Sequence, residues 1–263
     1  MTQLVIVLDA TIVNVALPKA QFELGMSDAE RQWVVTAYVL AFGSLLLLGG
    51  RISDFWGRKR SYMIGMFGFG AASVVAGFAD SAAQLIIARG AQGAFAALLA
   101  PAALSMLTVA FTSGKERAKA FAIFGIVAGT GATIGLAMGG VLTEYAGWRW
   151  CLLVNIIFAV LGIVGAALFV RESRLNGDHG HDLLGAVLIT LGFGSFVYGL
   201  TLSEHGWGSA DTILFLSVGL VLIALFLVVE SKTKYPLLPL RILRNRTRAG
   251  AFLVQASVGA VYI

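Results

Sequence analysis

Apolar residues in this chain come in runs long enough to leave water altogether. Eight such runs are Met1–Leu17, Trp33–Gly50, Tyr62–Phe78, Ala83–Thr108, Ala118–Thr143, Trp150–Val170, Leu183–Leu202 and Ala210–Val229. A helix with one buried face would show an apolar stripe, whereas these runs are apolar all round, which means lipid or a deep core. About 20 such residues cross a bilayer as a helix. Only 13% of the 263 residues are charged, against about 25% in a soluble domain. The fold class read from this is an all-α polytopic membrane protein. A ninth run, Ala249–Ile263, has 15 residues, about 22 Å of helix and too short to cross alone. Both ends of the chain therefore read as incomplete.

The loops sort by charge. One set holds Arg51, Arg58, Lys59 and Arg60, then Lys115, Arg117 and Lys119, then Arg171 and Arg174, then Lys232, Lys234, Arg241, Arg244, Arg246 and Arg248. The alternate loops hold only Lys19, Arg31 and Arg149. Short basic loops stay in the cytoplasm, so the N-terminus is expected there. A wrong span count would scramble this alternation. The net charge of +5 is thus topogenic and does not point to nucleic acid. Cys151 is the sole cysteine, which rules out an intrachain disulfide.

Two ionisable residues lie clearly inside apolar spans, Asp9 and Arg89. A charge at mid-helix costs at least about 2.5–3.5 kcal/mol, so it is a functional candidate by default. Asp9 is near mid-helix; its structural alternative is a hydrogen bond inside the bundle, to Asn14 or a neighbouring helix. Arg89 sits near the start of its span and can alternatively snorkel to the interface. A carboxylate that moves between a dry site and an arginine can couple protonation to conformation.

Arg89, Gln92, Gly93, Ala96, Ala97 and Ala100 share one face of the fourth span. This small, polar face packs closely, lines a cavity, or does both, and Pro101 follows as a kink candidate. Gly131, Gly135 and Gly139 repeat at small-x3-small spacing with Gly140 beside them, a pattern for close helix packing. Gly129–Gly135 looks like a dinucleotide loop, but no strand precedes it. In the loop Gly50–Arg60, Asp54 lies between Gly50 and Gly57. Glycines permit a tight turn, and Asp54 can pair with a base or cap a helix.

His179 and His181 lack a ligand cluster of recognisable spacing, so no metal site is expected. Trp33, Trp148 and Trp150 read as interfacial belt residues. No phosphate-binding loop, nucleophile elbow or zincin motif is present, so neither ATP-driven nor hydrolytic chemistry has support.

The residues together resemble the major facilitator superfamily, specifically its fourteen-helix drug:proton antiporter group. Leu8–Pro18 is similar to that group's first-helix motif, and Gly50–Arg60 to the superfamily's loop motif. Arg89-x2-Gln92-Gly93 resembles the fourth-helix motif, and Gly131–Gly140 the fifth-helix antiporter motif. Gln32–Tyr38 and Trp148–Trp150 also look like this group. The chain departs from it in having Leu136 after Gly135, and Ile156 and Ile157 after Asn155, where prolines are usual.

The resemblance implies proton-driven export of small amphipathic or drug-like compounds by alternating access, in the cell membrane. It assigns Asp9 and Arg89 to proton coupling or substrate response, and Gly50, Asp54, Gly57, Arg58 and Lys59 to a cytoplasmic gate. The partners implied are a small-molecule substrate and the lipid bilayer, with no obligate protein partner. No cofactor is implied; the proton gradient supplies energy. The expected organisation is a six-helix bundle at 1–170, a cytoplasmic linker at 171–182, two additional helices at 183–230, a basic loop at 231–248 and the start of a second bundle at 249–263. Since such a fold needs fourteen helices, the expectation is an N-terminal fragment. A truncated, non-transporting remnant or interaction module is the alternative, and no enzyme activity is expected.

Overall fold

The structure, a computed structural model, describes residues 1–174, 182–203, 206–233, 236–237 and 250. His179, His181, most of the basic loop and nearly all of the ninth run lie outside the described residues. Eight helices follow in order: α1 Thr2–Leu24, α2 Asp28–Trp56, α3 Arg58–Gly77, α4 Ala82–Ala110, α5 Gly114–Tyr145, α6 Trp148–Phe169, α7 Leu183–Leu202 and α8 Ala210–Lys232. No strand occurs among the described residues.

Seven of these helices are long and apolar enough to cross a membrane. The chain is a multi-pass membrane protein. The exception is α3, which opens on Arg58, Lys59 and Arg60 and carries several glycines and two serines. Those residues lower its hydropathy, and packing explains why they are tolerated. Much of α3 is buried, pressed between α4 and α6.

The helices overrun the apolar runs at their ends. α1 continues through Pro18 to Leu24, and Gly25 closes it in the left-handed conformation, φ 62°. α2 starts almost at once. The Ser27 hydroxyl accepts from the Glu30 backbone N–H while the Glu30 carboxylate accepts from the Ser27 N–H, a capping box that satisfies two otherwise unpaired donors. The loop expected between Gly50 and Arg60 shrinks to one residue. Gly50 through Trp56 are helical, and Gly57 alone breaks the chain, with φ 108°.

The packing of the first six helices maps onto itself when α1, α2 and α3 are exchanged for α4, α5 and α6. α1 lies along α5 as α4 lies along α2; α6 meets α1 as α3 meets α4; α3 and α6 meet each other. Each repeat has three helices, so equivalent helices run in opposite directions. This is an inverted-repeat arrangement, and it is carried by packing without visible sequence repetition.

α7 and α8 form a hairpin that rests on α2. Leu188, Ile189 and Phe226 make its core with Leu47 of α2. The Trp33 and Tyr198 rings lie 5.6 Å apart. Arg51 of α2 donates to the Pro236 carbonyl at 3.4 Å, beyond the end of α8.

Candidate functional site

Five helices send polar side chains to one point. Asp9 of α1 is wholly buried, and Arg89 of α4 is 2% exposed. Arg89 Nη1 donates to Asp9 Oδ2 at 2.6 Å and to Gln92 Oε1 at 2.9 Å. The other carboxylate oxygen, Asp9 Oδ1, accepts from Asn155 Nδ2 of α6 at 2.6 Å and from Gln92 Nε2 at 3.3 Å. Gln92 Nε2 also donates to Ser73 Oγ of α3 at 2.8 Å, and Ser73 returns its proton to the Phe69 carbonyl. α2 supplies the floor: the guanidinium lies 4.4 Å from the centre of the Tyr38 ring, and Arg89 Nε reaches the Val34 carbonyl at 3.4 Å.

This arrangement decides between the alternatives for Arg89. It turns inward and does not snorkel. Taking a carboxylate and a guanidinium out of water costs several kcal/mol per ion, repaid only when geometry is good and the remaining donors and acceptors are filled. Here the carboxylate accepts at both oxygens, and the cation has an aromatic face beneath it. Asp9 bonds to neighbouring helices and not to Asn14. Among the described residues this is the one ion pair with both side chains buried.

α5 stands outside this network and fixes α1 from behind. A Cβ on Gly131 would meet Leu4 Cδ1 at 3.3 Å, one on Gly135 would collide with the Thr11 hydroxyl, and one on Gly139 would reach Val15 Cβ at 3.0 Å. Those three glycines let the α1 and α5 backbones close up. Gly140 does not share the role expected of it. It lies about 100° further round the helix, and a Cβ there would meet nothing within 4 Å.

The cavity reading of the fourth helix is also corrected. Gln92 is wholly buried within the polar cluster, and a Cβ on Gly93 would run into the Tyr38 carbonyl. That face is close packing against α2. Beyond Pro101, Ala103, Met106 and Leu107 of α4, with Phe111 just past its end, line a cavity of about 440 Å³. α5 contributes Ile123, Phe124 and Val127, α6 contributes Leu161 and Gly165, and Thr2, Gln3 and Tyr62 bring the polar atoms.

The loop-motif residues gather at the end that carries the basic loops. Asp54 lies in the last turn of α2 and pairs with Arg58 Nη2 at 3.2 Å, one helical turn on. It caps nothing. The cap of α3 is Glu172, just past α6: its carboxylate accepts from the Lys59 and Arg60 backbone N–H groups, each at 3.1 Å. The Arg58 N–H donates to the Ser173 carbonyl at 2.9 Å, and Lys59 Nζ to the Ala167 carbonyl at 3.0 Å. Gly50 stands by Pro101 of α4, where a Cβ would make an ordinary 3.5 Å contact.

At the opposite end Trp148 is not a belt residue. It is 1% exposed, and its indole N–H donates to Glu23 at 2.8 Å. Arg149 donates to the same carboxylate oxygen at 2.9 Å and to the Ala79 carbonyl at 3.3 Å. Trp150, at 54% exposure, faces outward as a belt residue would. Sequence reasoning missed Glu23, Ser73 and Glu172 altogether, and it met Asn155 only as a neighbour of missing prolines. A lone amide within the apolar run Trp150–Val170 was the available signal for Asn155. Among the described residues no group of acids, histidines or cysteines is placed to hold a metal.

Apolar helices around a buried, hydrogen-bonded ion pair define a multi-pass membrane protein with a polar centre. The family is more particular: the chain belongs to the Major Facilitator Superfamily, whose sequence model matches residues 1–261. It is 48% identical over 252 residues to the puromycin resistance protein pur8 of Streptomyces alboniger, covering 96% of this chain and 50% of that protein. To the cephamycin export protein CmcT of Amycolatopsis lactamdurans it is 42% identical over 241 residues, covering 90% of this chain and 50% of that one. To the multidrug resistance protein Stp of Mycobacterium tuberculosis it is 35% identical over 254 residues, 96% of this chain and 47% of that one. The chain spans about half the length of these relatives, all named as export or resistance proteins.

Proposed function

We propose that this chain forms the N-terminal portion of a proton-coupled exporter of small amphipathic or drug-like compounds, working by alternating access in the plasma membrane. The carrying observation is the buried Asp9 carboxylate, held by Arg89, Gln92 and Asn155. A group so placed can exchange a proton only when the helices around it part, which ties protonation to conformation. The cavity beyond Pro101 supports the substrate class, because its apolar walls with a few polar atoms suit an amphipathic molecule. The relatives' names point the same way. In this reading Gly50, Asp54, Gly57, Arg58 and Lys59 form a gate at the cytoplasmic end, and the basic loops put the N-terminus on that side. Residues 1–170 act as one bundle, with α7 and α8 as an added hairpin beyond the linker at 171–182. No cofactor enters; the partners are the substrate and the bilayer.

The test is efflux of a cationic dye, read as its accumulation inside everted vesicles that carry the product of the complete reading frame. Efflux should collapse when the proton gradient is dissipated, and Asp9→Asn should remove the gradient dependence. Efflux indifferent to the gradient would reject proton coupling.

A further inference from the structure

Two side-chain amides hold Asp9, and they are not equivalent. Gln92 is engaged at both ends: its Nε2 serves Asp9 and Ser73, and its Oε1 accepts from Arg89. Asn155 is engaged at one end. Its Nδ2 donates to Asp9 Oδ1 at 2.6 Å, while its Oδ1 is buried without a hydrogen-bond partner. The residue is wholly buried. A buried carbonyl left unpaired costs about 1–3 kcal/mol, and such a group calls for an explanation.

The amide cannot relieve this by turning round while Asp9 is ionised. A carboxylate only accepts, so only the amide nitrogen can face it. A proton on Asp9 Oδ1 reverses the requirement, because the oxygen becomes a donor and now opposes the N–H of Asn155. A half-turn of the amide about its last side-chain bond then brings Asn155 Oδ1 to accept from the acid O–H. Gln92 cannot follow without abandoning Ser73 and Arg89.

We infer that Asn155 is a positioning residue for Asp9 that reverses its amide with the protonation state, donating to the carboxylate and accepting from the acid. This rests on the reading that Asp9 takes up the transported proton. The proton comes from water on one side of the membrane and leaves to the other; no other bond is made or broken. The charged and titratable groups facing the pair are Arg89 of α4 on Asp9 Oδ2, and Tyr38 of α2 beneath the guanidinium. Cys151 lies one turn from Asn155 on α6 and is occupied by Thr143 and Gly139 of α5. α3 presents Ser73, which does not titrate in this range.

Infrared difference spectroscopy on the complete protein in lipid nanodiscs, stepped from alkaline to acidic pH, separates the outcomes. The wild type should show a protonated-carboxyl C=O stretch that Asp9→Asn abolishes. Labelling asparagine with heavy carbon should reveal a side-chain amide band moving in the same step. In Asn155→Leu the carboxyl band should rise in frequency, since the acid O–H has lost its acceptor, and the amide change should vanish. Transport at saturating gradient should fall by roughly tenfold, the scale of one hydrogen bond to a charged group. Asn155→Ser, which keeps a donor and an acceptor in one hydroxyl, should recover part of the rate. An Asp9-dependent carboxyl band with no moving asparagine band in the wild type would overturn this inference and leave proton coupling standing. No Asp9-dependent band would overturn both. The labelled wild type decides the matter even if Asn155→Leu does not fold.

Discussion

Gly57 and the carboxylate of Glu172 occupy one space: a Cβ built on Gly57 would fall 2.5 Å from Glu172 Oε1. Gly57 also carries a φ of 108°, where side chains are strained. Gly57→Ala should therefore destabilise the bundle by more than about 1 kcal/mol, read as a lower melting temperature in detergent. Glu172→Ala removes the collision but also the cap on α3. The double variant should melt well above the sum of the two losses, because neighbouring effects are non-additive. Simple additivity would show that the two residues do not share the space.

Arg89 and Asp9 should respond differently to single and paired change. Arg89→Ala leaves a buried carboxylate without its cation, a loss of about 3–5 kcal/mol. Asp9→Asn with Arg89→Gln removes both buried charges together and should restore much of the melting temperature without restoring transport. Equal instability in Arg89→Ala and the double variant would contradict the packing described for the site.

Two glycines of α5, Gly135 and Gly140, give a direct contrast. Gly135→Leu drives a side chain into Thr11 and should separate α5 from α1, lowering yield and melting temperature by an overpacking cost of about 1–3 kcal/mol or more. Gly140→Leu meets open space and should leave the bundle's stability near wild type. The comparison is read by thermal melting of both variants side by side.

Trp148 tests the far end. Trp148→Phe keeps most of the buried ring but removes the indole N–H that Glu23 accepts. The loss should be about 1–2 kcal/mol. A cysteine pair replacing Glu23 and Arg149 should be bridged by a short bifunctional thiol reagent if α1 and α6 stay joined through the proposed transport cycle, which gel mobility reports.

The helices were legible because lipid leaves a coarse mark in long apolar runs, and the cations between those runs set the expected sidedness of the loops. Asp9 and Arg89 stood out for the same reason, as charges where charges are costly. Their mutual contact was not legible, since they are separated by 80 residues and no periodicity links two different helices. α3 reads as less apolar because burial among helices, and not lipid, shapes its composition. The roles of Glu23 and Glu172 were hidden among ordinary interfacial charges; only their backbone and indole partners set them apart. The glycine face of α4 was visible as a pattern, but a small-residue stripe fits both a contact and a void, and only Tyr38 on the facing helix decides between them.

α6 is pinned at its start by Trp148 and Arg149 on Glu23 of α1, and tied just past its end by Glu172 on the first turn of α3. A rod fastened at both tips cannot serve as a lever. Under the alternating-access reading, a stroke that exposes Asp9 and keeps both ties would carry α1, α3 and α6 together as a single stave, and α4 and α5, which barely touch, would offer little resistance to parting. The hinge of the machine would be a missing contact and not a flexible helix.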